Sequence, residues 1–422
     1  MKKHQIIITS LGNALEWFDF GLFIFFAPII GEKFFPTDNP KLATLAALSV
    51  FAAGFLCRPL GGILFGHAGD TQGRAKTLRY SVLMITISTL LIGLLPTNQS
   101  IGILSPLLFT ILRLAQGISV GGEYSGVMIY LAETAPDKKR GFVTSFAAIG
   151  ANIGFLSATL VLILLNSLFS KATIDEWAWR LPFILVGLPG FLILYYRFKL
   201  LETPAFSYLK TTHHIEKKPF LAALRYAPTN LLKIFGLTCM SSTLYYVFFG
   251  YMPTYLNRYL GIANHTALLF QSICLVMMLF LVPVAGLCGD FAGRKRVLML
   301  TALGTVVLSI PCFYLLQNQS HLAVLFSLFI ATLLSSSDQG NSLSAVVENC
   351  PANVRYSGIA FSYNLGMAIF GGTAPLIVAV LTQKVSILAP AFYLMLMAAI
   401  TFLAASTLLK KANINDYIKE QV

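Results

Sequence analysis

The sequence predicts an all-α membrane protein with twelve transmembrane helices in two pseudo-symmetric six-helix halves. Three observations predict it. The 422 residues are 56% apolar and only 11% charged, with a mean hydropathy of +0.75, whereas a soluble chain is about one quarter charged. The apolar residues fall into runs of roughly 20 to 30, long enough to cross a hydrocarbon core of about 30 Å as helices. Finally, two motifs each occur twice. GHAGDTQGR (66–74) and GLCGDFAGR (286–294) fit G-x-x-G-D-x-x-G-R, and ETAPDKKR (133–140) and ENCPANVR (348–355) fit E-x-x-P-x-x-x-R.

Polar or Pro/Gly breaks divide the runs into spans over 6–30, 43–69, 77–96, 101–131, 139–168 and 180–200. After a gap come 229–256, 264–289, 297–316, 321–347, 353–382 and 387–409. The gap, 201–228, is the one sizeable polar stretch and contains LKTTHHIEKKP. It is read as a linker between a first bundle, 1–200, and a second, 229–422. The first apolar run is too long for a cleavable signal peptide, contains carboxylates and ends without a small-residue cleavage site.

The net charge of +13 raises the question of a nucleic-acid partner, and the distribution of charge answers it. With a cytoplasmic N-terminus, 22 of the 30 Lys and Arg fall inside, from Lys2 and Lys3 to Lys419. Six fall outside (Lys33, Lys41, Lys171, Arg180, Arg258, Lys384), and Arg58 and Arg113 lie within spans. Retention of positive charge on the cytoplasmic side sets orientation. The basicity is therefore a topology signal, with both termini inside and a lipid bilayer, not nucleic acid, as the large partner. The six cysteines show neither paired nor metal-ligand spacing and read as reduced packing residues. No catalytic signature or nucleotide-binding loop appears, so no enzyme activity, metal or cofactor is expected. The energy source is an ion gradient or the substrate's own. A monomer is the default expectation.

Two parallel six-helix repeats suit a rocker-switch transporter with substrate bound between the halves near the midplane. In the repeated loops, Gly66, Gly73, Gly286 and Gly293 allow close approach of helix ends. Asp70 and Asp290 can accept hydrogen bonds from a neighbouring helix N-terminus, and Arg74 and Arg294 can pair with an acid. Such clusters can latch one side in one state. The loops resemble the cytoplasmic signature of the major facilitator superfamily. LGNALEWFDFG (11–21), RPLGG (58–62), RLAQGISVGGEYSG (113–126) and ETPAF (202–206) are similar to its metabolite:proton symporter branch. The resemblance implies a proton-coupled importer in a bacterial inner membrane, carrying a small metabolite such as proline or betaine. Sister members carry organic acids such as α-ketoglutarate, citrate or shikimate, and an exporter of the same fold is a further alternative. Three features depart from the branch. Ala148 stands where an acid is expected, Asp338 is an additional acid, and the tail NINDYIKEQV lacks the heptads of an osmosensory coiled coil.

Six ionisable residues stand out within the spans: Glu16, Asp19, Arg58, Arg113, Glu123 and Asp338. A charge at bilayer depth costs roughly 2.5–3.5 kcal/mol, so such residues face a bundle interior or a wet cavity. Glu16 and Asp19 lie three residues apart, and Asn13 extends the polar stripe by another such step. A carboxylate whose desolvation and pairing change during a conformational switch exchanges a proton, so Asp19 first and Glu16 second are expected to couple protons. Arg113 is expected to meet either these acids or a substrate carboxylate, with Tyr124 on the same side of its helix. Arg58, placed near the cytoplasmic end of the second span, is expected to support the latch or a kink. Glu123 is too far along its helix to reach Arg113 and reads equally as structural or functional. Glu133, Arg140, Glu348 and Arg355, in the second repeated motif, have no assigned role. Tyr245 or Tyr246 can join Trp17 and Phe20 around an ammonium by cation–π contact, or act only in packing. Asp338, in the polar run SSSDQGN, is a candidate for the cavity wall. One confident cation opposite several acids and aromatic faces suits a zwitterion better than a di- or tricarboxylate, because buried anions require pairing.

Overall fold

The computed structural model describes residues 3–318 and 320–408. The C-terminal tail, Lys419 and Lys2 lie outside the described residues. Among the described residues, twelve helices are long and apolar enough to span a membrane. The first six are α1 (His4–Phe34), α2 (Pro40–Gln72), α3 (Arg74–Leu94), α4 (Leu104–Thr134), α5 (Asp137–Leu168) and α6 (Ala178–Arg197). The second six are α7 (Pro228–Leu260), α8 (Asn264–Ala292), α9 (Arg294–Leu316), α10 (His321–Glu348), α11 (Arg355–Lys384) and α12 (Ala389–Ser406). Helices satisfy their own backbone groups, which lipid cannot do for them. Pro40 and Pro228 open α2 and α7, a position whose missing N–H is unpaired in any helix. Asn39 caps α2 through the Lys41 N–H at 3.0 Å.

The stretch 201–228 is not plain linker. It forms two short helices, Pro204–Thr211 and Pro219–Tyr226. Thr203 caps the first, accepting from the Phe206 N–H at 3.3 Å. This cap followed by a proline is a helix start inside a segment that the hydropathy alone leaves blank.

The halves repeat the same packing. α1 lies on α5 as α7 lies on α11, α2 on α4 as α8 on α10, and α3 on α6 as α9 on α12. Across the halves, α2 meets α11 and α5 meets α8. A Cβ on Gly66 would fall 2.6 Å from the Ser357 backbone, and one on Gly286 would fall 2.7 Å from the Gly141 carbonyl. Only glycine permits these approaches. Gly73 and Gly293, with φ of 113° and 90°, make the sharp turns from α2 to α3 and from α8 to α9, a backbone state that costs other residues strain. The repeated loops thus lie on one face of the bundle, here the motif face.

Candidate functional site

On the motif face each repeated Asp caps a helix of the other half. Asp70 accepts from the Tyr356 and Ser357 N–H groups at 3.1 and 2.8 Å, at the start of α11. Asp290 accepts from those of Gly141 and Phe142 at 2.8 and 3.0 Å, near the start of α5. A carboxylate at a helix N-terminus satisfies orphan donors and complements the dipole. The second motif supplies the rest. Glu133 pairs with Arg74 of its own half at 3.3 Å and with Arg355 of the other half at 2.8 Å. Glu348 pairs with Arg294 at 3.1 Å and with Arg140 of the other half at 3.4 Å. The four residues without an assigned role therefore complete two equivalent ion-pair clusters that join the halves.

The two clusters differ in burial. Asp70, Arg74, Glu133 and Arg355 are fully enclosed, whereas Arg294 is 15% exposed. Glu202 and Thr203 account for part of this. Glu202 accepts from the Arg74 and Ala75 N–H groups at the start of α3, at 3.0 and 3.2 Å, and the Thr203 hydroxyl donates to Glu133 at 2.6 Å. The motif ETPAF is thus part of the first cluster.

Deeper in the bundle, the stripe on α1 does not keep to one face. Three residues rotate a helix by about 300°, so each step of the stripe drifts by about 60°. Asn13 therefore points to α5 and donates to the Ala147 carbonyl at 2.6 Å. Asp19 points the other way. It accepts from Arg113 at 2.6 Å, Gln116 at 3.0 Å and Thr89 at 3.1 Å. Arg113 thus meets an acid of α1, the first of its two expected partners, and its guanidinium lies 3.9 Å from the Phe23 ring centroid.

Glu16, between them, is buried, and neither of its oxygens accepts a hydrogen bond. Arg58 acts on it more strongly than any other charged group. This corrects the placement of Arg58 near the motif end of α2. It lies 18 residues from Pro40 and 14 from Gln72, at mid-membrane. Its Nε donates to Asn364 of α11 at 3.1 Å, while one terminal nitrogen, Nη2, has no hydrogen-bond partner. Asn364 in turn donates to the Gly121 carbonyl at 2.8 Å. Hydropathy runs mark the ends of a span several residues too early or too late, and an arginine followed by proline reads as an end.

Aromatic rings lie beside these two charges, with the Phe55 centroid 5.3 Å from the Arg58 guanidinium. Trp17 lies 6.1 Å from Phe20, 6.0 Å from Tyr124, 5.5 Å from Tyr245 and 6.4 Å from Tyr246 between ring centroids. Tyr124 stacks on Tyr363 of the other half at 5.5 Å. A small cavity between the halves is lined by Trp17, Tyr124, Ser241, Tyr245, Gln339 and Tyr363, among others. The indole N–H of Trp17 and the hydroxyls of Tyr245 and Tyr246 have no hydrogen-bond partner. Tyr246 opens a π-helical turn in α7, Tyr246–Tyr251, and α11 carries another over Met367–Gly371. Such turns are frequent at functional sites. Gln339 and Ser241 line the cavity; Asp338 is buried close behind Ser241 and is not in the lining.

Glu123 does not line this cavity, although its charge and that of Arg197 reach Glu16. Arg197, at the end of α6, grips both oxygens of Glu123, and Ser81 donates to it at 2.6 Å. The sequence reading counts Arg197 among the inside loop charges although it falls within the span 180–200. An arginine inside a span, like an acid inside one, is the signal for such a pair.

Comparison with known proteins agrees with this architecture. The profile of the sugar (and other) transporter family matches residues 5–234. The chain belongs to that family. It is 35% identical to the proline/betaine transporter of Escherichia coli K12, over 97% of this chain and 84% of that one. Identity and coverage are the same with the glycine betaine/proline/ectoine/pipecolic acid transporter OusA of Dickeya dadantii. In fold it is similar to the major facilitator superfamily proton:xylose symporter XylE, with a TM-score of 0.78, 18% identity and 98% of each chain covered. This family member is therefore a multi-pass membrane transporter of the major facilitator fold, as the repeated loops imply, and not an enzyme.

Proposed function

We propose that the chain imports a small zwitterion, such as proline or glycine betaine, in symport with protons across a bacterial plasma membrane. One observation carries the reading. The two oxygens of Glu16 and one terminal nitrogen of Arg58 lie buried without a well-formed hydrogen bond, beside the aromatic cavity between the halves, with Tyr246 next to Arg58. Buried charges require pairing, and a zwitterion supplies both partners at once. Its carboxylate pairs with Arg58 and its ammonium with Glu16, while Trp17, Tyr124, Tyr245 and Tyr246 offer ring faces. Arg113 is already engaged by Asp19, which leaves one cation for the substrate and disfavours a dicarboxylate. The curated relatives, named for proline and betaine, support the same class. In reconstituted vesicles, a pH gradient acid outside is expected to drive uptake of proline or glycine betaine. Competition by α-ketoglutarate alone would sink this reading.

The proton site is Asp19, paired with Arg113. Protonation of the carboxylate releases the guanidinium, which rests on the ring of Phe23. The halves 1–200 and 229–422, joined by 201–228, rock about the chamber, and the motif face is cytoplasmic. Reagents added outside are expected to label an introduced cysteine near Asp38 and to miss one near Lys217. The reverse pattern would invert the orientation.

The two clusters hold the cytoplasmic side closed. Asp70→Asn keeps one acceptor of two and loses the charge, and a charge-assisted hydrogen bond contributes about 1.5–3 kcal/mol. Turnover is expected to slow at least about tenfold, with a smaller change in substrate binding. Normal turnover in this variant would show that the loop is only a turn.

A further inference from the structure

We propose that Asp338, with Ser241 and Ser342, is a second coupling-ion site, taking one small monovalent cation apart from the Asp19 pair. Asp338 is 1% exposed, and the hydroxyls of Ser241 and Ser342 lie close to its carboxylate without a well-formed hydrogen bond. Ser335 and Ser342 flank it on one face of α10, at three residues before and four after, and neither hydroxyl makes a well-formed hydrogen bond. Ser241 of α7 lies beside Asp338 and lines the chamber with Trp17 and Tyr245. The site is thus one residue behind the substrate cavity.

The internal repeat sharpens the contrast. Glu123 stands ten residues before Glu133, and Asp338 ten before Glu348. The first acid is closed by Arg197 and Ser81. The second has no such cation. α4, α5, α7, α8, α9 and α11 pack against α10, and among the described residues none brings a charged side chain to act on Asp338; Arg140 of α5 pairs with Glu348 instead. The titratable groups that line the neighbouring chamber are Tyr124, Tyr245 and Tyr363. An isolated carboxylate at bilayer depth costs roughly 2.5–3.5 kcal/mol, so its charge must be neutralised by something that moves. Carboxylate and hydroxyl oxygens suit a small hard cation. One carboxylate balances a single charge, and a bulky ammonium belongs in the chamber itself.

The inference rests on the symport reading and predicts that two positive charges accompany each zwitterion. In reconstituted vesicles, the membrane voltage that nulls net flux is measured at a fixed proline or glycine betaine gradient. With two charges, a tenfold substrate gradient is balanced by half the voltage that one charge requires. In Asp338→Asn the ratio is expected to fall to one. A ratio of one in the unaltered protein overturns the proposal, and so does a ratio of two in the variant. If the variant does not fold, Ser241→Ala with Ser342→Ala replaces it. Its uptake should then need a severalfold higher ion concentration for half-saturation, and an unshifted ion dependence overturns the site. Repeating the measurement with a sodium gradient at equal pH identifies the ion: a response assigns sodium, and none assigns a second proton. No ion-driven uptake at all would instead refute the symport reading.

Discussion

Replacing Asp19 by Asn is expected to abolish accumulation driven by a pH gradient while substrate exchange remains measurable. The amide can still bond with Gln116 and Thr89, which now meet the Asp19 carboxylate at 3.0 and 3.1 Å. It cannot bind a proton, and it no longer neutralises Arg113, now 2.6 Å away. The cation then has Gln116, the amide oxygen and the faces of Phe23 and Phe109, none of them charged at any pH. Exchange needs the halves to rock with substrate bound but no net proton movement, so it survives the loss of the titrating group. Uptake is measured with acid outside and again at equal pH. Unchanged pH-driven accumulation would remove Asp19 as the proton carrier and leave the unpartnered Glu16 as the next candidate.

The other large effect is structural. Arg197→Met strips the cation from Glu123, and breaking a buried pair from one side costs roughly 3–5 kcal/mol because the remaining charge is uncompensated. Arg197 does more than neutralise. It donates to the Leu78 carbonyl at 2.5 Å and to the Thr9 carbonyl at 3.1 Å, tying α6 to α3 and α1. The variant is expected to unfold at a markedly lower temperature and to accumulate poorly in membranes. Glu123→Gln added to it should restore part of the loss, since no orphan charge then remains. In the double variant substrate affinity per folded molecule should stay near normal, because neither residue lines the cavity and the opposed charges that reach Glu16 are removed together. A variant that unfolds at the wild-type temperature would show that the pair contributes little.

The two motif clusters were legible because they are repeated. G-x-x-G-D-x-x-G-R needs glycine where backbones touch and Asp where a helix begins, so local chemistry and sequence carry the same message. The role of Glu133, Arg140, Glu348 and Arg355 was not legible. Each pairs with a residue of the other half, and no sequence separation announces which one. The chamber was half legible. The aromatic residues of α1 and α7 and the stripe on α1 were visible as types at helical spacing. The drift of about 60° per step, which sends Asn13 to α5 and Asp19 to α4, follows from helix geometry. Which neighbour waits at each angle does not.

The sequence by itself determined the membrane class, the twelve spans, the twofold repeat and the residues of the repeated loops. Those depend on composition, run length and local backbone demands, which need no partner. Tertiary structure alone decided how the buried charges are shared. Asp19 takes Arg113, Glu123 takes Arg197, and Arg58 moves to mid-membrane beside Glu16, leaving Glu16 without a hydrogen bond and Asp338 without a cation. Pairing between buried charges depends on approach within a few ångströms, and only the packing of α1 on α4, α4 on α6 through α3, and α2 on α11 sets those distances.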